Sequence, residues 1–174
     1  EVELRHAISR NDLTVHYQPK MDLATGRVTA LEALVRWPHD DHGWITPSEF
    51  IPIAENAGLI SSVGEMVLET ACRHGASWIE QGIPNLKMAV NLSAHQLIRN
   101  DMMAVIKRIL KRTGFPPQQL VVELTESLLI DTLDKTSATL AGLRSMGIEI
   151  AIDDFGTGYS TFRLLKRLPV DILK

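Results

Sequence analysis

"EIAIDDFGTGYST", residues 149–161, decides how this chain folds. Ile150 and Ile152 alternate with Glu149, Ala151 and Asp153, and Ile148 extends the apolar set backwards. Side chains alternate faces along a strand, so one face here is wholly apolar and the other ends in a carboxylate. Asp154 follows directly, then a loop containing Gly156 and Gly158. Adjacent like charges repel unless positive charge lies beside them, so the pair Asp153–Asp154 calls for a cation.

The same design recurs upstream. In "LKMAVNLS", residues 86–93, Met88, Val90 and Leu92 share one face, while Ala89 and Asn91 share the other. In "LVVELTE", residues 120–126, Val122 and Leu124 lie opposite Val121, Glu123 and Thr125. Helical segments separate these strands: "QLIRNDMMAVIKRILKRTG" over 96–114, "LDKTSATLAGLRSMG" over 133–147 and "GYSTFRLLKRL" over 158–168, before a last strand "VDILK". Strands alternating with helices imply βαβ units and a parallel sheet. Polar residues near the carboxyl ends of successive strands (Asn91, Glu123, Asp153) are what a (β/α) barrel needs for a site. An open doubly wound sheet is the alternative, but it gathers ligands at one crevice rather than on every strand.

The first third of the chain reads differently. "LRHAIS" is a short helix, and "LTVHYQPKMDLATGRVTALEALVRW" is two strands around a turn at "LATGR". "ITPSEFIPIAENAG" opens with a capping box, Thr46 at N-cap, Pro47 at N1 and Glu49 at N3. "LISSVGEMVLETACRHGASWIEQG" carries helical periodicity, with Gly82 as its stop.

The 174 residues are 45% hydrophobic and 22% charged, enough for a sizeable core without the signature of disorder. A net charge of −3 argues against a general binder of polymeric nucleic acid. No apolar run approaches the ~18–20 residues of a membrane span, and no signal-peptide pattern opens the chain. Cys72 is the sole cysteine and reads as a buried thiol on a helix face, which excludes an internal disulfide and a cysteine-based zinc site. The chain starts at Glu1 without a methionine and stops within a strand. The expectation is a single domain over 1–174, cut at its C-terminal side and belonging to a larger protein.

Glu32, from "LEALVRW", and Lys174 join the strand-end residues. Five oxygen-bearing side chains, Glu32, Asn91, Glu123, Asp153 and Asp154, favour hard divalent cations, Mg²⁺ or Mn²⁺. Two such ions ~3.5–4 Å apart clamp a phosphodiester and activate water. Lys174 would orient that water or neutralise charge on phosphate, and Arg36, four residues after Glu32 on the same face, would fork onto a phosphate oxygen. Ca²⁺ should permit binding but block hydrolysis, because its looser and longer coordination positions water poorly. Rival motifs are weaker. "HDDHG", residues 39–43, reads as a solvated turn, and "GTGYS" lacks the glycine spacing of a dinucleotide loop.

"YQP", "EALVRW", "PSEFIPIAE", "NLS", "ELTES", "IDDFGTGYS" and "DILK" occur in that order over nearly the whole chain, and together they closely resemble the EAL domain. That family comprises bacterial phosphodiesterases that linearise cyclic di-GMP to pGpG. The resemblance implies a (β/α)8 TIM-type barrel whose first strand is antiparallel, incomplete here with about six strands before the end. It implies Glu32, Asn91, Glu123, Asp153 and Asp154 as metal ligands, Lys174 beside the attacking water, and Gln18 and Arg36 on the cyclic dinucleotide. By the same resemblance Glu126 holds the "DDFGTG" loop and couples it to a homodimer interface. It further implies an upstream sensory or GGDEF domain and a cytoplasmic site of action, in a parent either free or membrane-anchored. A barrel of this kind takes ~250 residues, so the family's later strands fall beyond Lys174, and this stretch alone should be weakly active or inactive. Some members have lost ligands and serve as cyclic di-GMP receptors or interaction modules. The intact ligand set favours an enzyme.

Overall fold

The computed structural model describes residues 1–99, 101–156 and 170–174, without the side chains of 127–135. In it the alternation read along the strands becomes a sheet. Helix α1 (Val2–Arg10) ends at Asn11 in the left-handed conformation. Strand β1 (Thr14–Met21) turns back through Asp22–Arg27 into β2 (Val28–His39), the two running antiparallel. The turn is tied by Asp22 Oδ1, which accepts from the Thr25 N–H at 2.7 Å and its hydroxyl at 2.8 Å. A short β3 (Gly43–Ile45), not foreseen from the sequence, pairs with the end of β2. The "HDDHG" segment is the turn between them, with His39 Nδ1 accepting from the Asp41 N–H at 3.2 Å.

Helix α2 (Pro47–Asn56) carries the expected capping box, the Thr46 N–H donating to Glu49 Oε2 at 2.9 Å. Then follow α3 (Ile60–Glu80), β4 (Lys87–Asn91), α4 (Ala94–Ile98), α5 (Met102–Thr113), β5 (Leu120–Thr125), α6 (Glu126–Ser145), β6 (Glu149–Asp153) and β7 (Ile172–Leu173). The single helix read over 96–114 is two helices. Arg99 breaks the run with extended backbone angles, and its guanidinium forks onto the Asp101 carboxylate at 2.9 and 2.6 Å. Helix α6 starts at Glu126, with no loop after β5, rather than at residue 133. The helix read over 158–168 lies outside the described residues.

The strand order is β1-β2-β4-β5-β6-β7, with β3 beside β2. Apart from the antiparallel β1–β2 and β2–β3 pairs every pairing is parallel, and among the described residues the sheet is not closed. Its two faces bury two separate cores. Met88, Val90, Leu92, Val122, Leu124, Ile150 and Ile152 belong to the large one, with Val63, Val67 and Cys72 of α3 and Val105, Ile106 and Ile109 of α5. Ala89, Val121 and Ala151, with Ile172 against them, form a small apolar layer on the other face. Burial pushes the Cys72 thiol up to about 12, so it is an inert core residue.

That inner face is layered as a barrel interior is. Towards the start of the strands Lys87 and Glu149 pair at 2.7 Å. The apolar layer follows, and one step further along lie Asn91, Glu123 and Asp153. Among the described residues no helix is long and apolar enough to cross a membrane.

Close packing of α3 on α5's trailing loop gives one stability prediction. A Cβ built on Gly75 comes within 2.6 Å of the buried Phe115 ring. The ring is rigid and enclosed, so Gly75→Ala should destabilise by about 1–3 kcal/mol. For a chain of this size that lowers Tm by roughly 2–4 °C per kcal/mol, readable in a thermal melt. An unchanged Tm would mean that the helix and ring separate at no cost.

Candidate active site

Glu32, Glu123 and Asp153 come from β2, β5 and β6, yet each presents an oxygen within 4.8 Å of the others. The pairing explains this. Asn91 is level with Glu123, and Asp153 is level with Thr125, two residues further on. All face the interior because they share strand parity with Ala89, Val121 and Ala151.

Glu123 is only 1% exposed. Burying a carboxylate is costly unless it is paired and hydrogen-bonded, and here two lysines share the task. Lys174 Nζ lies 2.6 Å from Glu123 Oε2, 3.3 Å from Asp153 Oδ2 and 3.4 Å from Glu32 Oε2. Lys20 Nζ donates to Glu123 Oε1 and lies 2.9 Å from Glu32 Oε2. Asn91 Nδ2 donates to Glu32 Oε1 at 3.0 Å.

The electrostatics follow from these contacts. Burial works against ionisation of Glu32, but the hydrogen bonds from Lys20 and Asn91 and the charges of both lysines outweigh it, holding its pKa below the ordinary value. Burial likewise works against the charge on Lys174. Its hydrogen bond to Glu123 and the charges of Glu123 and Glu32 prevail and raise its pKa above that of a free lysine. Lys174 therefore stays an ammonium across the physiological range.

Part of the positive charge that the Asp153–Asp154 pair calls for is the Lys174 ammonium, 3.3 Å from Asp153 Oδ2. Asp154 takes the left-handed conformation, φ 55°, and its N–H donates to Asp153 Oδ1 at 3.0 Å. Its carboxylate stands outside the mutual set formed by Glu32, Glu123 and Asp153. Gly156 follows at φ 91°, and its N–H donates to Glu126 Oε2 at 2.7 Å. Gly158 lies outside the described residues.

Two further candidates lie at the edge of this cluster. Gln18 is exposed and directly opposite Glu32 in the β1–β2 register. Arg36 sits four residues along β2 from Glu32, its guanidinium donating to the Val35 carbonyl at 2.9 Å. It lines a pocket of about 460 Å³ shared with Asn91, Ser93, Gln96 and the apolar side chains Ile51, Ile60 and Val63. Lys20 is absent from the candidates read from the sequence. Its signal was position, since it lies two residues past Gln18 and so on the same face of β1.

The donor chemistry fits a hard divalent cation. Every candidate ligand atom is oxygen, three carboxylates converge, and the protein's own ammonium groups already stand among them.

The sequence matches the EAL domain family along residues 1–174. The chain belongs to the EAL domain family. A similar protein is the bifunctional diguanylate cyclase/cyclic di-GMP phosphodiesterase MucR of Pseudomonas aeruginosa, 44% identical over 172 residues that cover 99% of this chain and 25% of MucR. The cyclic di-GMP phosphodiesterase NbdA of the same organism is 42% identical over 174 residues, all of this chain and 22% of NbdA. Among solved structures, the PaMucR phosphodiesterase in complex with c-di-GMP superposes with a TM-score of 0.94 at 43% identity, covering 99% of this chain and 70% of that one. The chain spans about a quarter of the length of the curated relatives it matches. The antiparallel first strand and the parallel run after it are the EAL arrangement, a TIM-like barrel.

Proposed function

We propose that this EAL domain hydrolyses cyclic di-GMP to linear pGpG with the help of Mg²⁺ or Mn²⁺. The observation that carries the reading is the convergence of Glu32, Glu123 and Asp153, with Lys174 in contact with all three. The resemblance to MucR and NbdA supports the substrate.

In this reading Glu32, Asn91, Glu123, Asp153 and Asp154 hold the divalent ions. When bound, such ions supply Lewis-acid stabilisation of charge on the phosphate and lower the pKa of water. The chain's own side chains do the rest. Lys174, in contact with all three carboxylates, is a donor that orients the attacking water and offsets negative charge as the phosphorus–oxygen bond breaks. Arg36 and Gln18 flank the cluster and hold the cyclic dinucleotide by its polar groups, Arg36 through a forked contact to a phosphate oxygen. The apolar pocket beside Arg36 takes a purine base out of water. Glu126 fixes the loop that carries Asp154 through the Gly156 N–H.

The domain works as part of a larger cytoplasmic signalling protein, as a homodimer with an upstream sensory or GGDEF domain. MucR, a bifunctional diguanylate cyclase/cyclic di-GMP phosphodiesterase, supports such a partnership.

The test is turnover by the full-length protein. Cyclic di-GMP with Mg²⁺ or Mn²⁺ should give pGpG on chromatography, and Glu32→Ala should abolish it. Ca²⁺ should sustain nucleotide binding without product. Tight binding with no turnover in any metal would make the domain a receptor instead of an enzyme.

A further inference from the structure

Lys20 and Lys174 divide the carboxylate cluster between them from opposite ends of the sheet. Lys174 follows β7 and Lys20 lies on β1. They take different oxygens of the same buried group, Lys20 on Glu123 Oε1 and Lys174 on Glu123 Oε2, and both reach Glu32 Oε2. Their tethers are not alike. The Lys174 backbone is bonded on both sides, its N–H donating to the Ile152 carbonyl and its carbonyl accepting from the Phe155 N–H, each at 2.9 Å. Lys20 sits where the β1–β2 register slips between Lys20 and Met21, an irregularity that re-aims side chains next to sites. Its side chain is 30% exposed, whereas Glu123 beneath it is 1% exposed.

A cation taking oxygens from Glu32 and Glu123 needs lone pairs that Lys20 now occupies. Glu123 is enclosed and has little room to turn away. Lys174 contacts all three carboxylates and is anchored through its backbone. Of the two lysines Lys20 is the better placed to withdraw, since its backbone lies at the register slip and its long stem leads to water, where the ammonium regains its hydration.

We infer that Lys20 is an internal counter-cation that stabilises the carboxylate cluster and competes directly with divalent metal for it, so that this side chain sets how tightly the site binds its ions. The inference rests on the reading of the cluster as a divalent-cation site. It predicts that metal enters by exchange for an ammonium group and that the exchange weakens apparent affinity. A residue on the antiparallel strand, itself no ligand, would then tune metal occupancy through the two ligands it touches, Glu32 and Glu123.

The experiment is Mn²⁺ titration of the full-length protein by electron paramagnetic resonance, following free Mn²⁺ without substrate. Lys20→Met, similar in length and uncharged, should bind Mn²⁺ about tenfold more tightly than the wild type, the scale on which one neighbouring positive charge lowers a carboxylate's affinity for a proton. Lys20→Arg keeps the charge and should stay within about twofold of the wild type. In EDTA, Lys20→Met should melt lower than the wild type, and Mn²⁺ should raise its Tm more. Wild-type or weaker Mn²⁺ affinity in Lys20→Met overturns the inference while leaving the metal site standing. Equal tightening in Lys20→Arg also overturns it, because the competition is then not one of charge. If neither wild type nor variant binds Mn²⁺, the divalent-cation reading itself falls, and this inference with it.

Discussion

Glu123→Gln should lower turnover of cyclic di-GMP by about a thousandfold, the loss typical of removing a preorganised electrostatic group from a site; this corresponds to about 4 kcal/mol of transition-state stabilisation. The substitution hardly changes shape, so the loss isolates charge. Glu123 is the residue on which the cluster converges, with an ammonium on each oxygen. Neutralising it leaves Lys20 and Lys174 to share Glu32, with Asp153 reached by Lys174 alone. Mn²⁺ affinity should fall, the opposite of the change expected for Lys20→Met. The pair of variants therefore separates a ligand from a competitor even though the two side chains touch.

Stability should fall as well. Breaking a buried ion pair commonly costs 3–5 kcal/mol, but both lysines are about a quarter exposed and retain Glu32, so about 2 kcal/mol is expected here. That is a Tm lower by about 4–8 °C. Full activity in Glu123→Gln would show that the convergence of strands β2, β5 and β6 is structural only.

How much of this was legible in the sequence depended on which interaction did the organising. The inner and outer faces of β4, β5 and β6 were readable because strand parity is a local rule, and burial on both sides makes the alternation strict. The capping box at Thr46 was readable for the same reason: its bonds span three residues. Lys20 was not, because its role depends on the β1–β2 register and on a carboxylate 103 positions away. The break between α4 and α5 was hidden too. The apolar spacing runs on past Arg99 and Asp101, while among the described residues their paired side chains and the extended Arg99 backbone interrupt the helix. Arg36 and Glu32 share a face by strand parity, but the pocket beside Arg36 is made by α2, α3 and the segment after β4, which no single stretch reveals.

Glu126→Ala should reduce kcat by about 30- to 100-fold, the range for groups that orient ligands from behind, or about 2–3 kcal/mol in the barrier. The reasoning runs through the backbone after β6. Asp154 is not a glycine, yet it sits at φ 55°, a left-handed conformation that aspartate visits more readily than most side chains and that nearby bonds fix in place here. Besides the bond from its own N–H to Asp153 Oδ1, two bonds on the residues that follow help to hold it. Phe155 donates its N–H to the Lys174 carbonyl at 2.9 Å, and Gly156 donates to Glu126 Oε2 at 2.7 Å. Glu126 is well suited to the second because it is buried in the first turn of α6, where the helix dipole favours a negative charge. Alanine removes the acceptor, so the loop can relax and Asp154 leaves its place beside Asp153. Glu126→Gln keeps an acceptor oxygen and should recover most of the rate, which separates positioning of the loop from the charge on Glu126. The KM for cyclic di-GMP should change much less than kcat, because Gln18, Arg36 and the pocket beside Arg36 stay as they are. An alanine variant with wild-type kcat would mean that the loop holds its shape without Glu126. Equal losses in alanine and glutamine variants would instead assign the effect to the carboxylate charge.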